Sequence, residues 1–129
     1  MRVVAAVIQD QDTFLACRRA PHKSLAGKWE FPGGKVEALE SDEQALAREI
    51  LEELGVNVKV KHLLITTSQN YVETQIEMFT YLALLDSERP THSSDHDQLQ
   101  WLTLDELSDY EWAALDVPVV GKLLETFNR

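Results

Sequence analysis

The stretch SDEQALAREILEELG, Ser41 to Gly55, carries helix signals at both ends and along its length. Ser41 is followed three residues later by Gln44, the spacing at which each side chain satisfies the other's free backbone N–H. Gly55 stands where a helix closes in the left-handed region. At about 100° per residue, Leu46, Ala47, Ile50, Leu51 and Leu54 fall on one arc, with Glu49, Glu52 and Glu53 opposite. Such a helix must bury its apolar stripe against another layer, and the surrounding segments supply strands. RVVAAVI (2–8) and TFLACRR (13–19) flank the polar turn Gln9–Asp12 and read as a hairpin. Val56, Val58 and Val60 alternate with Asn57, Lys59 and Lys61 as a half-buried strand. After a polar turn near Ser68–Asn70 comes a β-rich run, Ile76–Leu85. Hairpin, helix, strands and a second helical pattern at Val117–Phe127 make a mixed α/β domain.

The shorter pieces connect these elements. Pro21–Gly27 is loop-like, and KWEFPGGK is a short extended piece that Pro32-Gly33-Gly34 should take out of regular structure. Ser87–Asp97 reads as a loop around Pro90, Gln100–Leu102 as a short strand, and Thr103–Leu107 as one capped helical turn. The length of 129 residues suits a single domain spanning 1–129, without internal repeat or linker. Hydrophobic residues at 44% and charged residues at 26% suit an ordinary soluble core.

Charge narrows the partners. The chain has 22 acidic and 12 basic side chains, a net charge of -10. That balance argues against a nucleic-acid polymer as partner, which needs a basic stripe. A polyphosphate would be repelled as well, unless cations intervene. Cys17 is the sole cysteine, so no internal disulfide is expected, and a reducing, cytoplasmic location fits. No run approaches the roughly 18 apolar residues of a membrane span, and the N-terminal apolar run is too short for a signal peptide.

Glu49, Glu52 and Glu53 stand at i, i+3 and i+4, where like charges destabilise a helix by roughly 0.2–0.5 kcal/mol per pair. A solvated acidic face is the plain reading. A hard divalent cation, which prefers carboxylate and water oxygens, is the functional one. Four further residues favour the cation. Gly33-Gly34 can bring a bare carbonyl close, Glu40 starts the helix, and the Arg48 guanidinium can orient Glu49.

Taken together, these residues resemble the signature of the Nudix hydrolase family: a glycine, five residues, a glutamate, seven residues, then Arg-Glu-apolar-any-Glu-Glu-any-Gly-apolar. Gly34, Glu40, Arg48, Glu49, Ile50, Glu52, Glu53, Gly55 and Val56 supply it with every spacing intact, so the box spans 34–56. KWEFPGGK before the box and the Trp101 strand after it are similar to the MutT branch. The resemblance implies an α/β/α sandwich with a mixed sheet and a loop–helix–loop catalytic box. It also implies a Mg²⁺ cofactor, sometimes Mn²⁺, held by Glu49, Glu52, Glu53 and the Gly33 carbonyl, with Arg48 and Glu40 as supports. Catalytic roles then fall to Glu49, Arg48, Glu52, Glu53 and Asp95. The general base is either Glu49 or Asp95, the latter lying where MutT-like proteins carry a glutamate about six residues before the tryptophan strand. A polar loop acid is the other reading of Asp95.

The implied reaction is hydrolysis of a nucleoside triphosphate to the monophosphate and pyrophosphate, as in nucleotide-pool sanitation, by a monomer or homodimer. Arg19, Lys35 and Phe31 are candidate substrate contacts, although a solvated lysine and a core phenylalanine are equally open. Lys28 is a similar flanking cation. Asp116 stands where enzymes clearing 8-oxo-dGTP usually carry asparagine. An ionised carboxylate only accepts, which favours an exocyclic amine such as cytosine N4 and hence CTP or dCTP. A helix N-cap is the competing role for Asp116. His22, His62, His92 and His96 show no zinc spacing and read as scattered polar residues, and Trp29 and Trp112 as packing residues. Other readings are a Nudix hydrolase for ADP-ribose or a dinucleoside polyphosphate, and a non-catalytic nucleotide sensor.

Overall fold

The structure, a computed structural model, describes residues 1–127. Its elements are β1 (Arg2–Asp10), β2 (Thr13–Arg19), β3 (Trp29–Glu30), β4 (Gly33–Lys35), α1 (Asp42–Leu54), β5 (Val58–Asn70), β6 (Gln75–Leu85), β7 (His96–Leu102), α2 (Leu104–Leu107) and α3 (Val117–Phe127). The seven strands form one mixed sheet, ordered β3-β2-β1-β6-β5, with β4 also on β1 and β7 on β2. β1 and β6 run parallel from Arg2↔Glu77 to Gln9↔Leu84, and the other pairings are antiparallel. Helices cover both faces, which gives the expected α/β/α sandwich.

β1 shows why the run RVVAAVI is apolar on both sides. Val4, Ala6 and Ile8 pack toward Leu46, Ile50 and Leu54 of α1. Ala5 and Val7 pack toward Val119, Val120 and Leu123 of α3. A strand covered on both faces loses the polar alternation of a half-exposed one.

The feature that makes a site is a split in the sheet. β2 pairs with β1 only at the closed end of their hairpin, through Gln9↔Phe14 and Asp10↔Thr13. Beyond that the two strands part. β3 follows β2 through Cys17↔Glu30 and Arg18↔Trp29, and β4 crosses to β1 through Ala5↔Gly33 to Val3↔Lys35.

Several expectations are corrected. Pro32-Gly33-Gly34 does not end regular structure, because Gly33–Lys35 is a strand. Gly33 has no Cβ to strike the Val4 carbonyl oxygen and Ala5 Cα, so β4 lies close on β1. The turn expected at Ser68–Asn70 lies later: β5 stays paired with β6 to Asn70↔Gln75, and the Tyr71 N–H donates to the Thr74 carbonyl at 2.7 Å. The loop expected to reach Asp97 ends at His96, where β7 begins pairing with β2.

The apolar arc of α1 also differs. The helix is capped as expected, with a reciprocal Ser41–Gln44 box and Gly55 at φ 69°. Its inward face, however, is Asp42, Ala45, Leu46, Ile50, Glu53 and Leu54, while Ala47 and Leu51 are exposed. The helix is rolled toward its glutamates, which brings two of them against the split in the sheet.

Candidate active site

A cavity of about 170 Å³ occupies the split, bordered by Gly33, Gly34, Glu53, Asp95, Glu30 and Asp116. Residues from β3, β4, α1, the β6–β7 loop and the turn before α3 thus converge on one opening. An apolar recess of about 220 Å³, walled by Leu25, Tyr71, Ile76, Met78 and Ala113–Leu115, shares Arg19, Glu30, Met78 and Asp116 with it.

Arg48 organises the helix side. Its Nε and Nη2 donate to Glu40 at 2.7 and 3.0 Å, Nη1 to Glu49 at 3.0 Å and Nη2 to the Lys35 carbonyl at 3.1 Å. Glu40 also accepts from the Glu37 N–H at 2.9 Å, so it ties the loop to the helix. The Arg48 hydrogen bonds hold the Glu40 carboxyl below its usual range. Directly beneath Glu49 lies Gly34, where any Cβ would collide with the Glu49 carboxylate.

Glu53 is the anomaly of the site. It is only 7% exposed, and its Oε2 has no hydrogen-bond partner among the described residues. Burial, followed by the negative charges of Asp95 and Glu49, pushes its carboxyl up to about 9. A buried acceptor without a donor costs about 1–3 kcal/mol. Such a carboxylate beside two other acids suits a divalent cation, whose preferred donors are carboxylate oxygens. Glu52 is not gathered with them: it is 60% exposed and lies 3.4 Å from Arg48. Among the described residues no three acidic, histidine or cysteine groups form a ready-made chelate. Glu49 and Glu53 with the glycine backbone could serve as a partial donor set for an ion that completes its shell with water and phosphate oxygens.

Asp95 faces Glu53 from the β6–β7 loop, and that loop is pinned. The Ser94 N–H donates to the Glu53 carbonyl at 3.2 Å, and the Ala20 N–H to the Asp95 carbonyl at 3.1 Å. Lys23 sits 3.2 Å from the Asp95 carboxylate, which keeps a 35% exposed side chain.

Asp116 is buried, and its Oδ1 accepts from the Phe31 backbone N–H at 3.0 Å. Its side chain is thus spent on the strand rather than on capping α3. Burial, reinforced by the charge of Glu30, pushes its carboxyl up to about 8 against the lowering effect of the Phe31 bond. Phe31 is a core residue stacked on Trp112 at 4.7 Å, with an edge reaching the cavity. Arg19 lines both cavity and recess, held by Glu30 at 3.0 and 3.1 Å, whereas Arg18 is turned to Asp97 at 2.8 Å. Lys35 does not line the cavity: its side chain is exposed on β4, and its carbonyl accepts from Arg48. Lys28 is paired with Glu111 at 3.1 Å.

Two residues escaped the sequence reading. Glu30 lines the cavity and binds both Arg19 and His96, the latter at 2.8 Å. Its signal was an acid placed between two aromatic core positions, Trp29 and Phe31, where a solvated side chain is unexpected. His96 is buried and holds Ser93 Oγ at 2.7 Å; no sequence spacing distinguishes it from the other histidines.

The comparisons with known proteins agree with this geometry. The NUDIX domain family matches residues 1–123. The CTP pyrophosphohydrolase of Escherichia coli (strain K12) is 35% identical over 127 residues, covering 98% of this chain and 90% of the relative. The 8-oxo-dGTP diphosphatase of the same strain is 27% identical over 124 residues, 95% of each chain. The crystal structure of the MutT NUDIX hydrolase from Burkholderia pseudomallei superposes with a TM-score of 0.78 at 31% identity, over 90% of this chain and 92% of that one. Nudix hydrolases cleave pyrophosphate bonds in nucleotide substrates and generally use divalent metals. With an intact box, a matching sandwich and acids gathered at the split sheet, this chain belongs to the Nudix family as a MutT-like hydrolase.

Proposed function

We propose that this chain, acting as one domain over 1–129, is a Mg²⁺-dependent nucleoside triphosphate pyrophosphohydrolase that releases a nucleoside monophosphate and pyrophosphate. The observation that carries this reading is the buried Glu53 carboxyl, with Oε2 unpartnered, beside Glu49 and Asp95, where an acid-bearing cavity meets an apolar recess. Glu49 and Glu53, with the Gly33 carbonyl and Glu52 at the rim, would hold Mg²⁺, or Mn²⁺. The bound ion would offset the phosphate charge and acidify water.

The chain's own groups do the rest. Arg48 fixes Glu49 in place through one of its oxygens. Asp95, open to the cavity and anchored at its backbone, takes the proton of the attacking water. Arg19 meets the phosphates or the sugar, oriented by Glu30. The base enters the recess toward Met78 and Leu25, and its edge meets Asp116.

The Asp116 carboxyl at the base edge, when ionised, only accepts and so favours an amine-bearing base, and the CTP-hydrolysing relative agrees with that preference. CTP or dCTP is therefore the first substrate class. 8-oxo-dGTP is a second reading, supported by the raised Asp116 carboxyl, which offers a donor and an acceptor when protonated. The buried, unpaired Cys17 suits a reducing cytoplasm.

The deciding experiment is a competition between CTP, dCTP and 8-oxo-dGTP with Mg²⁺, measuring pyrophosphate against orthophosphate. Pyrophosphate release with cytidine nucleotides preferred is expected. Orthophosphate release, or turnover only of ADP-ribose or a dinucleoside polyphosphate, overturns the reading, and tight binding without turnover would mark a sensor. Asp95→Asn should lower kcat far more than it raises KM.

A further inference from the structure

His96 lies outside the sequence motif, yet it joins two walls of the cavity. Its ring is fully buried. Nε2 lies 2.8 Å from Glu30 Oε2, and Nδ1 lies 2.7 Å from Ser93 Oγ. Ser93 Oγ also accepts from the Asp95 N–H at 3.2 Å, and Glu30 accepts from Arg19. A continuous path thus runs from the backbone of Asp95 through Ser93, His96 and Glu30 to the guanidinium of Arg19.

The strand geometry explains the convergence. Arg19 and His96 are partners across β2 and β7, at the register shift between Arg18 and Arg19. A shift of this kind re-aims side chains at the end of a ladder. Here it turns Arg19 away from the Arg18–Asp97 pair and toward Glu30.

The hydrogen positions follow from the partners. An ionised Glu30 only accepts, so Nε2 carries a hydrogen. With a neutral ring Nδ1 is then the acceptor, and the Ser93 hydroxyl, which accepts from Asp95, donates to it. Every donor then points the same way along the path from Asp95 to Glu30, an arrangement in which each bond polarises the next.

We propose that His96 is a positioning residue that couples the Asp95 loop to the Glu30–Arg19 pair, setting the proton acceptor and the substrate cation in one geometry. The inference rests on the pyrophosphohydrolase reading above. It assigns His96 no contact with substrate. Loss of the ring nitrogens leaves Glu30 free to turn and Ser93 free to release Asp95, so kcat and KM both suffer. Loss of Ser93 Oγ alone disturbs only the Asp95 side.

The test compares wild type, His96→Phe, Ser93→Ala, Glu30→Ala and the Glu30→Ala/His96→Phe double variant, by steady-state kinetics with CTP and Mg²⁺ and by thermal unfolding. His96→Phe should lower kcat/KM by about ten- to a hundredfold, the range for residues supporting a catalytic group through hydrogen bonds. Ser93→Ala should lower kcat with KM nearly unchanged. The double variant should be little worse than the worse single one, because both changes cut the same path. Wild-type kcat and KM in His96→Phe with only a lower Tm, or losses that multiply in the double variant, would overturn the proposal. If His96→Phe does not fold, Ser93→Ala decides alone, and unchanged kcat there overturns it. Absence of wild-type turnover on any nucleotide sinks the substrate reading instead. The linkage is then read by NMR, as an exchange-protected His96 Nε2–H that disappears in Glu30→Ala; if wild type lacks that signal, the linkage is wrong.

Discussion

Glu53 and Gly34 carry the sharpest consequences of the site. Glu53 is an acid packed where its charge has no donor. Without metal, Glu53→Gln should therefore raise stability at pH 8, because the wild-type fold must hold a proton there that the unfolded carboxylate has lost. The same change should remove most of the thermal stabilisation by Mg²⁺ and lower turnover by at least the roughly ten- to hundredfold that loss of a group supporting a metal site costs. Differential scanning calorimetry with and without Mg²⁺, beside the activity assay, checks both halves; a variant that stays active and Mg²⁺-responsive contradicts the metal assignment. Gly34 acts differently. A Cβ there meets only the end of the Glu49 side chain, which can swing aside at little cost. Gly34→Ala should keep Tm within a few degrees of wild type, yet lose kcat because Glu49 leaves the position Arg48 sets. Equal losses of stability and activity would mean that the clash is borne by the backbone.

At the level of elements, β4 and α1 hold the site by separate devices. β4 depends on close approach: a Cβ at Gly33 would strike the Val4 carbonyl and Ala5 Cα, which are backbone and cannot rotate away. Gly33→Ala should cost at least the roughly 1–3 kcal/mol of an overpacked core, and denaturant unfolding should show the deficit even without metal. Adjacent glycines are thus expected to separate, one failing in stability and the other in turnover. The start of α1 rests on Ser41, whose Oγ accepts from the Gln44 N–H at 3.1 Å while the Gln44 side chain accepts from the Ser41 N–H at 2.9 Å. Ser41→Ala should cost about 1 kcal/mol, visible as a lower urea midpoint, with less effect on kcat than Gly34→Ala because Ser41 itself touches none of Arg48, Glu49 and Glu53.

Across the whole molecule, the raised acids give stability a distinctive pH dependence. Glu53 titrates near 4.5 in an unfolded chain and about 9 in the fold, and Asp116 moves from 3.8 to about 8. Between those limits the folded protein binds more protons than the unfolded one, so stability falls as pH rises. The contribution is complete below about pH 4 and is lost through pH 8 to 9. Glu40, Asp42 and Asp97, whose carboxyls are lowered, act with the opposite sign only in the acid range. Metal-free protein should therefore have a higher Tm at pH 6 than at pH 8. Saturating Mg²⁺ should narrow or reverse the difference by favouring the ionised Glu53; a Tm that rises from pH 6 to 8 without metal would contradict this.

Local chemistry made much of this legible in the sequence. The Ser41 box, Gly55 and the spacing of Arg48, Glu49, Glu52 and Glu53 fixed a capped, acid-bearing helix, because capping and helical period are properties of neighbouring residues. The apolar run of β1 likewise announced a strand, while the cover on both its faces came from the fold. The roll of α1 about its axis was not legible, since it depends on what the helix packs against, and it buried Glu53 while exposing Leu51. Nor was the assembly of Glu30, the neighbours Asp95 and His96, and Asp116, three places far apart along the chain that meet only because β2 parts from β1. Sequence alone therefore determined the helix, its carboxylates and the family. The fold decided which carboxylates face one another, because the free energy of a charge depends on its surroundings.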